Sequence, residues 1–166
     1  QNHLPMFPGD ERWTLFQRKA LSGDYKEFLD SVSVSQLLME TVHGSSVLHF
    51  AVNGGNIEIL KFIIDASPVL LFKANHFGET PLHWASKFST KDIVKLLLRN
   101  GACPERQDND GNTALHWAAE YDNIDATKLL LSYGSPAQQK NEDGHTPYNV
   151  AKMEGSTKCR KFLRRR

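Results

Sequence analysis

The sequence predicts an all-α repeat solenoid, an array of helix–turn–helix units stacked side by side. A first observation is the period of four glycines, whose successive spacings are 34, 33 and 33 residues: Gly44, Gly78, Gly111 and Gly144. A second is the segment that follows each glycine, which is nearly the same in residues 78–85 (GETPLHWA) and 111–118 (GNTALHWA). A third is an apolar stripe at helical spacing in residues 59–64, after the first copy of that segment. A period of this length indicates units that bury their apolar faces on their neighbours.

The recurring segment resembles the core of the ankyrin repeat, which reads Gly-x-Thr-Pro-Leu-His-x-Ala. Residues 44–51 (GSSVLHFA) and 144–151 (GHTPYNVA) carry the same core in weaker form. The resemblance implies about five repeats, including degenerate terminal caps, with β-turn or hairpin fingers between them. The boundaries expected from it are an extended N-terminal arm at 1–12 and a repeat domain at 13–166, with repeats 1 to 5 at approximately 13–40, 41–74, 75–107, 108–140 and 141–166.

The N-terminal arm has no periodic pattern and contains Pro5, Pro8 and Gly9. Its apolar residues, within 4–7, have two interpretations: they cover the edge of repeat 1, or they contact a partner. Repeat 1 lacks the Pro-Leu-His core, since residues 15–17 (LFQ) stand in its place. A terminal repeat has one face against water, so this departure is typical of a cap.

The central repeats follow the motif closely. Repeat 2 keeps Leu48 and His49, and its second helix is expected to end before Pro68, with an apolar linker after it at 69–75. Repeat 3 is nearly ideal, because Pro81 lies in the first helical turn, where its missing N–H costs little. Repeat 4 has the same plan.

Repeat 5 begins with residues 144–147 (GHTP) and then departs from the motif, with Tyr148 and Asn149 in place of the Leu-His pair. Its second helix, at 157–166, is mostly polar, which fits a C-terminal cap. Cations in the last turn of a helix also stabilise its negative end. The density of Lys and Arg has a second interpretation, a nuclear-import or nucleic-acid-binding patch: Lys158, Arg160, Lys161, Arg164, Arg165 and Arg166.

The motif residues have structural interpretations. The glycines permit a positive φ at a tight turn, and the threonines cap the first helix of each repeat. The resemblance implies that His49, His83 and His116 bridge neighbouring finger turns by hydrogen bonds. Because these histidines are a repeat apart, they are too distant to share a zinc ion, and no metal site is expected. Trp84 and Trp117 are expected to pack between repeats; a partly exposed ladder facing the groove is the alternative.

The sequence offers no catalytic or cofactor motif, since it has no Gly-rich phosphate loop, no Cys-x-x-Cys pair and no nucleophile elbow. No apolar run approaches the ~20 residues that span a bilayer, so no membrane partner is expected. The net charge of +1 argues against nucleic acid as the partner of the whole chain. Cys103 and Cys159 form no disulfide framework, which indicates the cytosol, the nucleus or both. We expect the chain alone to be a monomer.

The resemblance implies that a partner protein binds the concave surface, which is made by the finger tips and the exposed ends of the first helices. The motif places eleven residues there: His76, Phe77, Glu79, Lys87, Phe88, Asn109, Asp110, Asn112, Glu120, Tyr121 and His145. Among them Phe77, Phe88 and Tyr121 are expected to anchor the partner within one interface, because aromatic residues dominate binding hot spots.

The function that follows is a non-enzymatic protein–protein interaction module. Two alternatives stay open. The chain is the targeting segment of a larger enzyme or effector, or it resembles the inhibitor-of-kappa-B proteins and occludes a transcription factor's basic region. The acidic residues near Asp110 and Glu120 suit a basic partner of that kind.

Overall fold

The computed structural model describes residues 15–30, 33, 37, 38 and 40–164. The predicted arm at 1–12, most of the stretch between 31 and 39, and the last two arginines lie outside the described residues.

Pairs of α-helices form the repeating unit, with one inner and one outer helix in each pair. The inner helices are α1 Leu15–Ser22, α3 Val47–Gly54, α5 Pro81–Phe88, α7 Ala114–Glu120 and α9 Pro147–Met153. The outer helices are α2 Tyr25–Leu29, α4 Ile57–Ala66, α6 Lys91–Arg99, α8 Ile124–Ser132 and α10 Thr157–Leu163. The all-α repeat architecture is therefore confirmed. Within the described ranges, none of these helices has the length and apolar character needed to cross a bilayer.

The core runs along the array between the two helix layers. Each inner helix packs on the next one, and the outer helices close the core from behind. The motif leucines Leu48, Leu82 and Leu115 are fully buried in it, as predicted. Repeat 5 is closed by a smaller cluster around Ala151, Cys159 and Leu163. This cluster is smaller than the main core because α10 has few large apolar residues.

The finger turns implied by the motif are present before each of the inner helices α3, α5, α7 and α9. In the turn before α5, the N–H of Gly78 donates to the carbonyl of Asn75 and the N–H of Asn75 to the carbonyl of Glu79, both at 2.9 Å. Isolated β-bridges at Glu40–Ser46 and Gln107–Thr113 give two of the fingers a hairpin character. The fingers project the predicted site residues away from the helical core.

The apolar linker after α4 forms a short 3-10 helix at Pro68–Phe72. Leu70 and Leu71 are buried in the core, whereas Val69 and Phe72 are exposed. One side of the linker therefore closes the core between repeats 2 and 3, which accounts for Leu70 and Leu71.

Candidate functional site

Backbone hydrogen bonds join the finger turns tip to tip. The donor in each bond is the N–H of the residue two places before a motif glycine. The acceptor is the carbonyl of the residue just before the motif glycine of the previous repeat. The three bonds run from His76 to His43 at 2.8 Å, from Asn109 to Phe77 at 2.9 Å and from Glu142 to Asp110 at 3.0 Å. The glycines make this approach possible. A Cβ atom on Gly78, whose φ is 77°, would lie 2.8 Å from the backbone nitrogen of Asn109.

A side-chain oxygen at the base of each finger after the first fixes the shape of the turn. Asp108 Oδ1 accepts the N–H groups of Asp110 at 3.0 Å and Asn112 at 2.8 Å. Asn75 does the same in repeat 3, and Asn141 accepts the N–H of the residue after its glycine in repeat 5. Asn and Asp stabilise turns in this way. The finger tips are therefore held in one arrangement before any partner arrives.

The motif histidines tie each inner helix to the next finger. Nδ1 of His83 accepts the N–H of Thr80 at 3.1 Å and lies 2.9 Å from the Thr80 hydroxyl, while Nε2 donates to the carbonyl of Asn112 at 3.0 Å. His49 reaches the carbonyl of Glu79 and His116 that of His145 in the same way, each at 3.0 Å. The bridging implied by the motif is therefore confirmed.

This geometry fixes the chemistry of the imidazoles. Since Nδ1 accepts a backbone N–H, the proton of the neutral ring lies on Nε2. Burial lowers the pKa of His49 to about 4, and it lowers the pKa values of His83 and His116 as well. Both nitrogens of each ring are occupied by hydrogen bonds. Within the described ranges, no three His, Cys, Asp or Glu side chains are grouped to hold a metal ion.

Trp84 and Trp117 are half-buried, so the packing interpretation holds only in part. Trp84 packs on the core and lies edge-to-face with His49, with 5.1 Å between ring centroids. Trp117 lies in the same way on His83, at 5.8 Å. Each indole N–H donates to a carboxylate on the finger side: Trp84 to Glu79 at 2.8 Å and Trp117 to Asp108 at 2.9 Å. The indoles therefore link the core to the concave side.

The predicted finger residues divide into exposed side chains and side chains that also support the fingers. His76, Phe77 and Asp110 are exposed, as is Asn109, whose amide donates to the carbonyl of His76 at 2.8 Å. The remaining three, which are partly buried, are engaged within the array: Glu79, Asn112 and His145. A partner can contact these three at their edges only.

The predicted residues at the inner-helix ends form one cluster. The rings of Phe88 and Tyr121 are edge-to-face, with 4.9 Å between centroids and an interplanar angle of 74°. Lys87 places its Nζ 4.5 Å from the centroid of Tyr121 and 5.2 Å from that of Phe88. Phe88 is 68% exposed, the highest exposure among the large apolar side chains of the described residues. Glu120, at the end of α7, is adjacent to Tyr121. We call Lys87, Phe88, Glu120 and Tyr121 the aromatic cluster.

Phe77 lies apart from the aromatic cluster. Its ring is 5.8 Å from the ring of His43, on the neighbouring finger. It precedes α5, whereas Phe88 is the last residue of α5, so the eight-residue helix, about 12 Å long, separates them. The three predicted anchors therefore form two groups, one at the finger tips and one at the inner-helix ends.

Carboxylates dominate the electrostatics of the aromatic cluster. Desolvation and the nearby Glu154 raise the pKa of Glu120, against the opposing effects of Tyr121 and Lys87. Desolvation and Glu120 raise the pKa of Tyr121 to about 12, with further contributions from Glu154 and Glu79. Carboxylates therefore lie near Tyr121, together with the Lys87 ammonium group that contacts both rings.

The whole array has segregated charge. The outer helices α6, α8 and α10 carry seven cations, against two acids, Asp92 and Asp125. The fingers and inner-helix ends of repeats 3 to 5 carry seven carboxylates: Glu79, Asp108, Asp110, Glu120, Glu142, Asp143 and Glu154. Two cations, Lys87 and Lys152, lie in the last turns of the inner helices α5 and α9 among those carboxylates. The near-neutral net charge hides an acidic concave side.

Four carboxylates of this surface were absent from the predicted site: Asp108, Glu142, Asp143 and Glu154. The repeat register contains a signal for Glu154, because Phe88, Tyr121 and Glu154 are spaced by 33 residues and occupy equivalent helix ends. Asp108 is missed because its turn-forming role suggested a local function. Its second oxygen accepts the indole N–H of Trp117 at 2.9 Å, which turns the carboxylate toward the inner helix.

A family model for ankyrin repeats (3 copies) matches residues 20–108 and 104–166, which together cover most of the chain. Among curated proteins, the protein ACCELERATED CELL DEATH 6 of Arabidopsis thaliana is 36% identical over 81 residues, or 47% of this chain and 12% of that protein. Human diacylglycerol kinase iota is 32% identical over 92 residues, or 54% of this chain and 9% of the kinase.

Palmitoyltransferase AKR1 of Kluyveromyces lactis is 38% identical over 64 residues, or 39% of this chain and 8% of that protein. The matched region thus spans about an eighth or less of each of these relatives. The similarity concerns the repeat region and leaves most of each relative's length without a counterpart here.

Proposed function

We propose that this chain, which belongs to the ankyrin-repeat family, binds a partner protein through its finger tips and inner-helix ends. Ankyrin repeats form protein-interaction modules. The aromatic cluster is the centre of the proposed interface. Phe77 and its neighbours at the finger tips form a second contact region.

The observation that carries this proposal is the exposure of Phe88 on a rigid support. Its ring is 68% exposed and packs edge-to-face on Tyr121, although the surrounding surface is charged. Hot spots are enriched in aromatic anchors that lie inside a polar rim. The finger ladder and the histidine bridges hold the surrounding backbone, so binding costs little ordering entropy.

We propose that the chain itself catalyses no reaction. The ankyrin-repeat region is an interaction fold, and the kinase and palmitoyltransferase relatives match over 9% and 8% of their lengths. The motif histidines, which are the strongest candidates for proton transfer, have both ring nitrogens engaged in hydrogen bonds to the fold. They act as structural links.

A second candidate role is recruitment within a larger protein. Two relatives whose names denote enzymes favour this role, because the region that matches this chain makes up only 9% and 8% of their lengths. The length of the transcript that encodes this sequence tests the idea. A reading frame that ends near Arg166 and begins shortly before Gln1 would contradict it.

The proposed interface is tested by separating its two regions. Phe88→Ala with Tyr121→Ala removes the aromatic cluster, and Phe77→Ala removes the finger anchor. Phe72→Ala is the matched control, because Phe72 is 50% exposed on the 3-10 helix and is not part of the aromatic cluster. Partners captured from cell extract by the parent chain are quantified for each variant, with thermal melting measured alongside.

We expect the double variant to lose its partner by a factor corresponding to about 2 kcal/mol or more, the usual effect of truncating a central anchor. Phe72→Ala should retain it, and Phe77→Ala should show a smaller loss. If the double variant folds normally and captures the partner as well as the control does, the interface lies elsewhere.

We further propose that the chain is a monomer on its own and acts in the cytosol or the nucleus. The two cysteines support a reducing compartment, since Cys103 is exposed and unpaired and Cys159 is buried. Light scattering tests the first point and microscopy of a tagged chain tests the second.

A further inference from the structure

The position of the Lys87 ammonium group suggests what kind of partner fits the aromatic cluster. Nζ lies within cation–π distance of two rings at once, 4.5 Å from the centroid of Tyr121 and 5.2 Å from that of Phe88. The two rings meet edge-to-face, so together they form a corner that is open to solvent on the Phe88 side. The corner therefore already holds a cation, which the chain itself supplies.

The ammonium group occupies the corner without a salt bridge. Within residues 40–164, the Lys and Arg nitrogens that approach a carboxylate to 4.0 Å or less belong to Lys61, with Glu58, and Lys73, with Glu40. Glu120 and Glu154 lie near enough to Tyr121 to raise its pKa, yet neither forms such a pair with Lys87. The Glu120 side chain is already hydrogen-bonded to Tyr121, but an ionised carboxylate has two oxygens and about four acceptor sites, so it can accept further hydrogen-bond donors.

We propose that Phe88, Tyr121, Glu120 and Glu154 form a receptor for an arginine side chain of a basic partner segment, and that this side chain displaces the ammonium group of Lys87. The proposal deepens the proposed function and rests on it, since it assigns a chemistry to the partner of the same surface.

Arginine fits this corner better than lysine does. A guanidinium group is planar, so it can stack on one aromatic ring and still donate two parallel hydrogen bonds to a carboxylate. Lys87 contacts the faces of the two rings and forms no ion pair with a described carboxylate, although its charge acts on Glu120 from a distance. An incoming guanidinium would satisfy both the rings and the acids.

The remaining carboxylates of the concave side extend the complementarity beyond the corner. Asp110, Glu142 and Asp143 lie on the hydrogen-bonded fingers of repeats 4 and 5, so a segment that follows the array meets negative charge on both of these fingers. The cations of the outer helices are on the opposite layer and do not neutralise this side. A partner segment with several Arg or Lys residues therefore matches the surface along its length.

Lys87 acts as a placeholder in the free chain. Its side chain is only partly buried, and its contact with the rings is a surface cation–π interaction, which is weak because water competes for the ammonium group. Displacing it is therefore inexpensive. The consequence is specific: removing Lys87 should strengthen the binding of an arginine-containing segment, because the competitor has gone.

The experiment uses a fluorescein-labelled peptide of alternating glycine and arginine, with matched glycine–lysine and glycine–glutamate peptides. Binding is measured by fluorescence anisotropy for the parent chain, for Lys87→Ala and for Lys91→Ala. The last variant is the control, because Lys91 is exposed on the outer helix α6 and its removal changes the net charge equally. We expect Lys87→Ala to bind the arginine peptide about two- to fivefold more tightly than Lys91→Ala does.

The aromatic half is tested with Phe88→Ala alone and with Phe88→Ala combined with Tyr121→Ala; Phe72→Ala is the control. We expect both variants to bind the arginine peptide several-fold more weakly than the control, with the larger loss in the double variant. The double variant should also lose the preference for the arginine peptide over the lysine peptide. Phe88→Ala keeps the test valid if the double variant is unstable, since that ring is largely exposed.

Equal affinities of Lys87→Ala and Lys91→Ala for the arginine peptide would show that Lys87 does not act as a placeholder. Unchanged binding of the same peptide by Phe88→Ala would show that the aromatic cluster is not an arginine receptor. These failures are distinct from failure of the proposed function. If the double variant loses its captured partner while the arginine peptide binds all variants alike, the interface stands and its partner uses different chemistry. If the double variant of Phe88 and Tyr121 keeps the partner captured from cell extract, the proposed interface is wrong.

Discussion

Repeats 3 and 5 cap the start of their inner helices with different side chains. In repeat 3, Nδ1 of His83 accepts the N–H of Thr80 at 3.1 Å and lies 2.9 Å from its hydroxyl. In repeat 5, Oδ1 of Asn149 accepts the N–H of Thr146 at 3.0 Å and lies 2.9 Å from its hydroxyl. An amide oxygen thus reproduces the capping function of an imidazole nitrogen almost without geometric change.

The difference lies in the second nitrogen. Nε2 of His83 donates to Asn112 in the next repeat, whereas the hydrogen bonds described for Asn149 stay within its own repeat. The comparison shows that the motif histidine has two separable functions, a local cap and a link between repeats. Repeat 5 retains the first function and has exchanged a titratable ring for a neutral amide.

The largest expected effect comes from removing both functions at once. His83→Ala leaves the buried N–H of Thr80 and the carbonyl of Asn112 without their partners, and each unsatisfied group costs about 1–3 kcal/mol. We expect a loss of roughly 3–4 kcal/mol in the free energy of unfolding, measured by urea denaturation. His83→Asn should cost about half of this, because the amide can restore the cap as Asn149 does. Equal losses in the two variants would show that the amide cannot replace the ring in repeat 3.

Acid should destabilise the histidine repeats and spare the cap of repeat 5. The folded pKa of His49 is about 4, below the value of about 6.5 expected in the unfolded chain. The unfolded state therefore binds the proton more readily, and the stability contributed by the neutral ring is complete above pH 6.5 and is lost as the pH falls toward 4. Over that window His49 alone should account for roughly 3 kcal/mol, and His83 and His116 act in the same direction.

The measurement is the free energy of unfolding at several pH values between 7.5 and 4.5, for the parent chain and for His49→Asn. The variant cannot titrate at this position, so the difference between the two curves isolates the contribution of His49 from that of the carboxylates. Parallel curves would mean that His49 is protonated in the folded state without cost, which its two hydrogen bonds argue against.

The sequence was sufficient for those parts of the structure in which a residue acts within its own repeat unit or on the adjacent one. The positive φ of the motif glycines, the burial of the motif leucines and the bridging by histidine all follow the motif. Each of these roles depends on a backbone geometry that recurs, so one copy of the motif predicts the others.

Asp122 shows why other roles were not predictable. It has a φ of 54°, at a position where the equivalent residues Gly55 and Gly155 have φ values of 75° and 74°. A non-glycine residue seldom adopts this conformation, although Asp tolerates it. Its Oδ1 accepts the N–H of Cys159 at 2.8 Å and so supports the start of α10 in the next repeat. The sequence indicated a turn at Asp122 but contained no signal for a contact 37 residues away.

The candidate site was predictable in composition and not in arrangement. The motif register placed Lys87, Phe88 and Tyr121 at helix ends, and the structure brings them together. Phe77 was expected in the same group, but position within a repeat does not reveal that the inner helix separates the finger from the helix end. Distances along one repeat require helix geometry as well as the motif.

A smaller effect is expected at Trp117, whose equivalent in repeat 5 is Val150. The indole lies on His83 and donates to Asp108, yet it is half-buried. Truncating a fully buried tryptophan costs about 3–5 kcal/mol, so we expect Trp117→Ala to cost roughly 2 kcal/mol. Trp117→Phe keeps the ring contact and loses the hydrogen bond, at about 1 kcal/mol. Urea denaturation measures both; a larger loss for Trp117→Phe would show that the link to Asp108 matters more than the ring contact.

The smallest expected effect concerns the basic end of repeat 5. Arg160 and Lys161 lie in the last turn of α10, and Arg164 follows as its C-terminal cap residue, where cations meet the negative end of the helix. Replacing Arg164, Arg165 and Arg166 with serine should lower the free energy of unfolding by about 0.5 kcal/mol and leave the localisation of a tagged chain unchanged. Lys91→Ser is the opposite control, since Lys91 begins α6 and faces the positive end of that helix, so its removal should be neutral or slightly stabilising. Loss of nuclear signal in the serine variant, with an unchanged melting curve, would instead assign these arginines to nuclear import.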